Sequence, residues 1–324
     1  MSYAIQISQN GGPEVLEQVV FQAGEPGPGQ VKIRHRAIGL NFIDTYMRSG
    51  LYPVDLPLTL GVEAAGDVIA VGQGVRTLSV GDRVAYCQGT GAYAVERLHA
   101  ADQVVKLPDG VSYEDAASLM LQGLTVRYLL KGSYPAQAGE TILWHAAAGG
   151  VGLIACQWAR HLGLTLIGTA GSDQKCALAR EFGASHVINY QSHDFVVETL
   201  KITGGEKLPV VYDSVGKDTW EGSLNLIQPF GYMISYGNAS GAVPPINIGI
   251  LNQKGAIYLQ RPSLFPYIAT PAMLQTAADD LFDMVAKGYV KPHIGQRFAL
   301  ADMAEAHKAL ESRATQGATV ITVD

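Results

Sequence analysis

His145–Arg160 reads HAAAGGVGLIACQWAR. The short apolar run Thr141–His145 precedes it, and Leu, Ile, Ala and Trp at helical spacing follow it. That context, a strand feeding a glycine loop that opens a helix, turns a glycine cluster into a phosphate site. Gly149 lets the backbone approach a pyrophosphate, and Gly152 lets the helix pack close to the strand. The helix N-terminus then offers N–H groups and positive partial charge. Ala147 stands where the G-x-G-x-x-G fingerprint has its first glycine, so the turn must tolerate a methyl group, which a slightly wider turn allows. The competing reading is a helix start in an α/β fold that binds nothing.

Outward from this loop, strand-like and helix-like stretches alternate. The strands are predicted at Thr141–His145, Leu164–Thr169, His186–Tyr190, Val210–Ser214, Tyr232–Tyr236 and Ile257–Gln260. Such alternation predicts an α/β protein with a doubly wound, six-stranded parallel sheet over 123–262. Upstream, QVKIRHRAIGL and AAGDVIAVG alternate apolar and polar residues between turn clusters such as EPGPGQ and SVGDRV, which predicts a small barrel or folded sheet. TPAMLQTAADDLFDMVAKG and ADMAEAHKALESR read as amphipathic helices, the second capped by Asp302. The closing ATVITV reads as a strand. The last ~60 residues are expected to return to the first domain, giving 1–122 with 263–324 against 123–262, within the ~100–200 residues usual per domain.

The expected ligand is a dinucleotide held by Thr125 and by Ala148, Gly149, Gly150, Val151 and Gly152. An NAD site has an acidic residue at the end of the second strand for the ribose 2′-hydroxyl. Here that end is Thr169–Ala170–Gly171–Ser172, with Lys175 one turn later. A small polar residue and a lysine suit a 2′-phosphate, hence NADPH. Asp173 dissents but is read as a cap of the next helix. Tyr190 is placed to border the adenine or reach the phosphate. Ser214 and Tyr236–Gly237–Asn238 follow the fourth and fifth strands, where open α/β sheets bind ligands.

The 324 residues are 48% hydrophobic and 16% charged, enough for a sizeable core. The net charge of −6 and the absence of a dense Lys/Arg run argue against a nucleic-acid partner. MSYAIQISQNGG lacks the features of a signal peptide, and no 18-residue apolar run predicts a membrane span. Three scattered cysteines (87, 156 and 176) form no disulfide framework and no metal pair. A cytoplasmic protein is expected.

GETILWHAAAGGVGLIACQWAR resembles the signature of the quinone oxidoreductase (zeta-crystallin) family, within the medium-chain dehydrogenase/reductase superfamily. The residues carrying it are Gly139, Glu140, Leu143, Ala147, Ala148, Gly149, Gly150, Gly152, Gln157 and Arg160. GGPEVL, AIGLNFIDTYMRSGLYP, GVEAAGDVIAVG, VGDRV, VYDSVG, ISYGNASG and AHKALESRATQG extend it, in order, over nearly the whole chain. One departure is Gly317–Ala318, where many members have Gly–Lys. The resemblance implies a GroES-like β-barrel catalytic domain beside a Rossmann domain. Zinc-dependent members have a cysteine where this chain has Asn41, a histidine where it has Val62, and another cysteine near Gln122, so no zinc is expected. Without a Lewis acid the acceptor must take hydride readily, as a quinone does. The implied activity is reduction of quinones by hydride or one-electron transfer from NADPH. The alternatives are an NADPH-dependent enoyl or 2-alkenal reductase and a non-enzymatic NADPH- or RNA-binding protein. Asn41, Tyr46 and Tyr52 are the candidate catalytic residues, with Asn41 able to reach the nicotinamide ribose as well. Asp44 and His145 are read as structural. By resemblance Arg313 in SRATQG approaches the cofactor. The apolar last strand of the parallel sheet, GAIYLQR, is expected to pair with its copy in a homodimer.

Overall fold

In the computed structural model, which describes residues 2–323, the chain runs β1 (Tyr3–Ile7), β2 (Glu17–Val20), β3 (Gln30–Leu40), α1 (Phe42–Ser49), β4 (Leu58–Thr59), β5 (Glu63–Val71), β6 (Arg83–Tyr86), β7 (Glu96–Ala100), β8 (Val105–Lys106) and α2 (Tyr113–Tyr128). It continues with β9 (Thr141–Trp144), α3 (Gly150–His161), β10 (Thr165–Ala170), α4 (Asp173–Glu181), β11 (His186–Asn189), α5 (Phe195–Ile202), β12 (Leu208–Asp213), α6 (Trp220–Leu226), β13 (Ile227–Ser235), α7 (Gly249–Gln253) and β14 (Tyr258–Gln260). It closes with α8 (Pro271–Ala286), β15 (Ile294–Ala299), α9 (Met303–Glu311) and β16 (Ala318–Thr322).

By backbone proximity the chain divides into Met1–Leu124 with Ile268–Phe282 and Pro292–Asp324, and Thr125–Tyr267 with Asp283–Lys291. Set against the boundaries expected from the sequence, the second unit also takes residues 263–267 and 283–291. Side chains account for both additions: Tyr267 stacks on Tyr128 at 4.6 Å, and the Lys291 N–H donates to Gln157 Oε1 at 2.9 Å.

In the first unit, alternation along β3 buries Val31, Ile33 and His35 on one face, as a half-exposed strand requires. β3 pairs with β5, β7 and β16, in a sheet ordered β15-β16-β3-β5-β6-β8. A second sheet, β2-β1-β4, is tied in through Ile5 N–H to the Tyr93 carbonyl. One core fills the unit, with Ile5, Ile38, Leu60, Val84 and Tyr93 joined by Met303 and Ile321 from the end of the chain.

The second unit carries a six-stranded parallel sheet ordered β11-β10-β9-β12-β13-β14. Its sequence order, third-second-first-fourth-fifth-sixth, is that of a doubly wound dinucleotide fold. Leu143, Ile167, Val211 and Met233 from adjacent strands form its core. The strand predicted at Tyr232–Tyr236 starts instead at Ile227. Pro229–Phe230–Gly231 reads as a break, yet the strand runs through it as an irregularity. Leu208 pairs with Ile227, Val210 with Tyr232, and Phe230 takes a φ of 63°. Among the described residues no helix is long and apolar enough to cross a membrane.

Candidate active site

The glycine loop turns on Ala146, whose φ of 55° places a non-glycine residue in the left-handed region. Ala147 follows, buried, with its N–H on the Thr169 carbonyl at 2.9 Å. Its methyl fits because the neighbouring strand has Gly168, where a Cβ would come within 2.6 Å of the Ala147 Cβ. The tolerance comes from that glycine across the sheet rather than from a wider turn. At Gly152 a Cβ would lie 2.3 Å from the Ala146 carbonyl oxygen, so only glycine permits this approach of α3 to the loop. Gly149 is the N-cap without a side-chain cap bond, and no acidic residue lies in the first turn of α3. The N–H groups and positive end of α3 are therefore left for an anion.

Ser172, not Asp173, caps α4: its Oγ accepts from the Lys175 N–H at 3.2 Å, and Asp173 is the first helical residue. Asp173 instead accepts from Asn189 Nδ2 at 2.8 Å. Sequence could not separate the two because serine and aspartate cap equally well. The Tyr190 hydroxyl lies over Gly171, 2.6 Å from where a Cβ would stand, so Gly171, Ser172, Lys175 and Tyr190 share one corner. Burial lowers the pKa of the Lys175 ammonium, a cost that a phosphate would offset. At the next strand ends Ser214 and Gly237 touch, a Cβ on Gly237 falling 2.5 Å from the Ser214 carbonyl oxygen. Tyr236 N–H donates to the Asp213 carbonyl at 2.8 Å, and the Asn238 amide, oriented for hydrogen bonding, accepts from Arg261 at 3.1 Å. Thr125 is buried on α2.

A polar chain not anticipated from sequence lies under these strand ends. Asp213 is fully buried and accepts from the Val215 and Gly216 N–H groups and from the Thr219 and Ser223 hydroxyls. Since Ser223 donates to Asp213, it accepts from His145 Nε2 at 2.9 Å, and His145 Nδ1 accepts from Thr169 Oγ1 at 3.0 Å. His145 is thus a neutral Nε2–H tautomer with both ring nitrogens satisfied. Burial lowers its pKa. It ties the ends of β9, β10 and β12 to α6.

In the first unit, Asn41 caps α1, and Asp44 Oδ2 accepts the Asn41 N–H at 2.9 Å. The Asn41 side chain donates Nδ2 to Glu63 Oε2 at 2.7 Å and accepts from Gln122 Nε2 at 3.3 Å. Tyr46 is buried beside Tyr52 with ring centroids 5.2 Å apart, a pairing fixed by the Tyr52 N–H on the Tyr46 carbonyl at 3.0 Å. Arg313 follows α9 with a φ of 58°. Asp302 is the N-cap of α9 by position but makes no side-chain cap bond.

Burial pushes the Glu63 carboxyl from 4.5 up to about 8 and the Asp44 carboxyl up to about 7. A folded-state pKa raised above the unfolded one means that the native state holds protons the unfolded chain has released. The resulting stability is present in acid and lost as pH rises towards 8. The stability of wild type relative to Glu63→Gln should therefore fall between about pH 5 and pH 8.5. Urea unfolding at both pH values checks it, and a difference independent of pH would contradict it.

Residues 27–109 match the family described as alcohol dehydrogenase GroES-like domain, and residues 150–280 match zinc-binding dehydrogenase. A quinone oxidoreductase of Pseudomonas aeruginosa is 54% identical over 323 residues, covering 99% of each chain. The chain belongs to the quinone oxidoreductase family of the medium-chain dehydrogenases/reductases. The crystal structure of Escherichia coli quinone oxidoreductase complexed with NADPH superposes with a TM-score of 0.97 at 50% identity, covering 99% of each chain. A 2-haloacrylate reductase of Burkholderia is 41% identical, with 99% of each chain covered. The zinc in the matched description does not fit this member. Asn41, Val62 and Gln122 offer neither thiolate nor imidazole, and the Asn41 amide already bonds Glu63 and Gln122. Among the described residues no group of three or more His, Cys, Asp or Glu could hold a metal ion.

Proposed function

We propose that the protein is a zinc-independent, NADPH-dependent quinone oxidoreductase. The observation that carries this is the joint presence of the α3 phosphate cradle and the Gly171–Ser172–Lys175–Tyr190 corner in the second unit, in a chain whose first unit holds Asn41, Val62 and Gln122 where zinc-dependent relatives have metal ligands. When bound, NADPH supplies the hydride. Ala148–Gly152 and the α3 N-terminus bind the pyrophosphate with Thr125, and Ser172, Lys175 and Tyr190 bind the 2′-phosphate. Ser214, Tyr236, Gly237, Asn238 and Arg313 complete the cofactor's contacts. Asn41, Tyr46 and Tyr52 orient the acceptor and shield it from water. No thiolate or imidazole stands where a zinc would polarise a ketone, so the acceptor must be easily reduced, as a quinone is.

The test is NADPH consumption in EDTA with a small para-quinone, a bulky ortho-quinone and a 2-alkenal. Quinone turnover unaffected by EDTA is expected, and turnover of the alkenal alone would replace this reading. The Burkholderia relative, a 2-haloacrylate reductase, supports that second reading. Lys175→Ala should raise KM for NADPH about tenfold, the loss of roughly one charge-assisted hydrogen bond, and leave KM for NADH unchanged. Equal effects on both cofactors would remove Lys175 from the 2′-phosphate site.

A homodimer through β14 is part of the proposal. Tyr258 and Leu259 on that edge are 53% and 36% exposed, which supports pairing with a second copy. Sedimentation at micromolar concentration tests it, and a monomer would refute it. The protein is read as cytoplasmic.

A further inference from the structure

Asp213 ends β12 with no solvent exposure. Burying a carboxylate is costly unless hydrogen bonds surround it, so its partners say what it is there for. Four donors from the chain just beyond it converge. Oδ1 accepts the Val215 and Gly216 N–H groups at 2.8 and 3.0 Å, and Oδ2 the Thr219 and Ser223 hydroxyls at 2.7 and 3.0 Å. Only an ionised carboxylate offers about four acceptor sites and no donor. The first pair folds the chain around Ser214. The Asp213 carbonyl takes the Tyr236 N–H at 2.8 Å, and the Ser214 carbonyl takes that of Ala239 at 3.1 Å.

Ser223 leads the other way. Its proton is spent on Asp213, so it accepts from His145 Nε2 at 2.9 Å, and His145 Nδ1 accepts from Thr169 Oγ1 at 3.0 Å. The Phe195 ring stands perpendicular to the imidazole, with 4.9 Å between centroids, and fixes its plane. Thr169 receives the Ala147 N–H on its carbonyl at 2.9 Å, and Ala147 belongs to the glycine loop. The glycine loop thus hangs from Thr169, the Ser214 turn hangs from Asp213, and Ser223 and His145 join the two. These four side chains are at most 1% exposed, so water does not compete for the bonds.

We propose that Asp213 is a positioning residue for the dinucleotide. Through Ser223, His145 and Thr169 it sets the glycine loop, and through its own turn it sets Ser214, so that both loops hold the cofactor in one register. The ligand rests on the NADPH-dependent reading, whereas the chain of bonds does not. The charge on Asp213 dictates the sense of every link. Asp213→Asn keeps the size and keeps a carbonyl oxygen towards the Val215 and Gly216 N–H groups, so its Nδ2 faces Thr219 and Ser223. Both hydroxyls then accept, and Thr219 turns its proton to the Gly216 carbonyl, 3.3 Å away. Ser223 donates to His145 Nε2, and the imidazole becomes the Nδ1–H tautomer that donates to Thr169 Oγ1. The chain runs backwards without being cut, a signature that a packing role lacks.

The test uses the full chain labelled with 15N-histidine, with His145 assigned by its loss in His145→Gln. At neutral pH wild type should show the Nε2–H tautomer and Asp213→Asn the Nδ1–H tautomer. The same tautomer in both, or an imidazolium in wild type, overturns the chain. Ser223→Ala and Thr169→Val cut it on either side of His145. In fluorescence titrations each should weaken NADPH and NADH alike by about fivefold, the worth of one neutral hydrogen bond, and leave KM for a para-benzoquinone unchanged. The double variant should also lose about fivefold, since one cut already frees the glycine loop from Asp213, whereas two independent packing defects would multiply to about 25-fold. Multiplying losses, or lower melting temperatures with unchanged dissociation constants, overturn the positioning role. Wild type that binds neither cofactor overturns the NADPH reading and the positioning role with it, and leaves the tautomer result standing.

Discussion

Gly152→Ala should weaken NADPH binding by about a hundredfold, the equivalent of ~2.7 kcal/mol. The added methyl would sit 2.3 Å from the Ala146 carbonyl oxygen and 2.6 Å from the Ala147 Cα. Both are backbone atoms of the loop itself, so α3 and the loop must move apart, and the N–H groups lose their common aim. Gly149→Ala makes the sharper comparison. Its methyl would meet only the Ala146 carbonyl oxygen, at 3.3 Å. The free protein accommodates it with a small adjustment, so any loss of affinity there reports close approach of a ligand to the backbone. Fluorescence titration with NADPH measures both variants, and melting curves show whether the fold is intact. An unchanged dissociation constant in Gly152→Ala would remove the loop from the cofactor site.

Arg48→Ala should destabilise the protein by about 2–4 kcal/mol, from the space left by a buried side chain and the hydrogen-bond partners it strands. Arg48 is 2% exposed and holds Glu311 through two bonds, at 2.6 and 3.1 Å. It also reaches His307 Nδ1 at 2.8 Å and the Gly11 carbonyl at 3.1 Å. His307 in turn bonds the Tyr93 hydroxyl at 3.0 Å, and burial lowers its pKa to about 3, so it stays neutral beside the guanidinium. The substitution leaves His307 Nδ1 and the Gly11 carbonyl without their donor and uncouples α1 from α9. Glu311→Gln should cost less, since that side chain is 36% exposed and water can replace part of what is lost. Urea unfolding followed by tryptophan fluorescence ranks the two. Equal and small effects would mean that the network contributes little to holding α1, and with it Tyr46.

The parallel sheet was legible because its strands are short apolar runs at regular spacing, each followed by a helical pattern. What escaped was wherever tertiary contacts override local signals. Phe230 lies in a segment whose proline and glycine read as a stop, yet pairing on both sides carries β13 through it. The tolerance of Ala147 depends on Gly168, which only strand register brings opposite it. Glu63 is a lone charge in the apolar run GVEAAG, a visible anomaly. Its partners Asn41 and Leu121 are 22 and 58 residues away, so sequence could mark the residue but not its role. The chain from Thr169 to Asp213 joins three strand ends and a helix and has no local signature. Ser172 and Asp173 show the limit at close range, since two adjacent residues able to cap left the cap undecided.

The strand β16 lies between β15 and β3, pairing antiparallel with Ala37–Leu40. A ribosome therefore releases the two units out of register with their order in the chain. The segment Thr125–Tyr267, which holds all six strands of the parallel sheet, can collapse while residues 318–322 are still unsynthesised. Ala37–Leu40 of β3 must wait unpaired on the edge that β7 covers only at Gln30–Arg34, although they emerged some 280 residues earlier, a delay of roughly 15–60 s at ~5–20 residues per second. For that interval the nascent chain displays an open, apolar strand edge, the kind of surface that chaperones bind and that misassembly exploits.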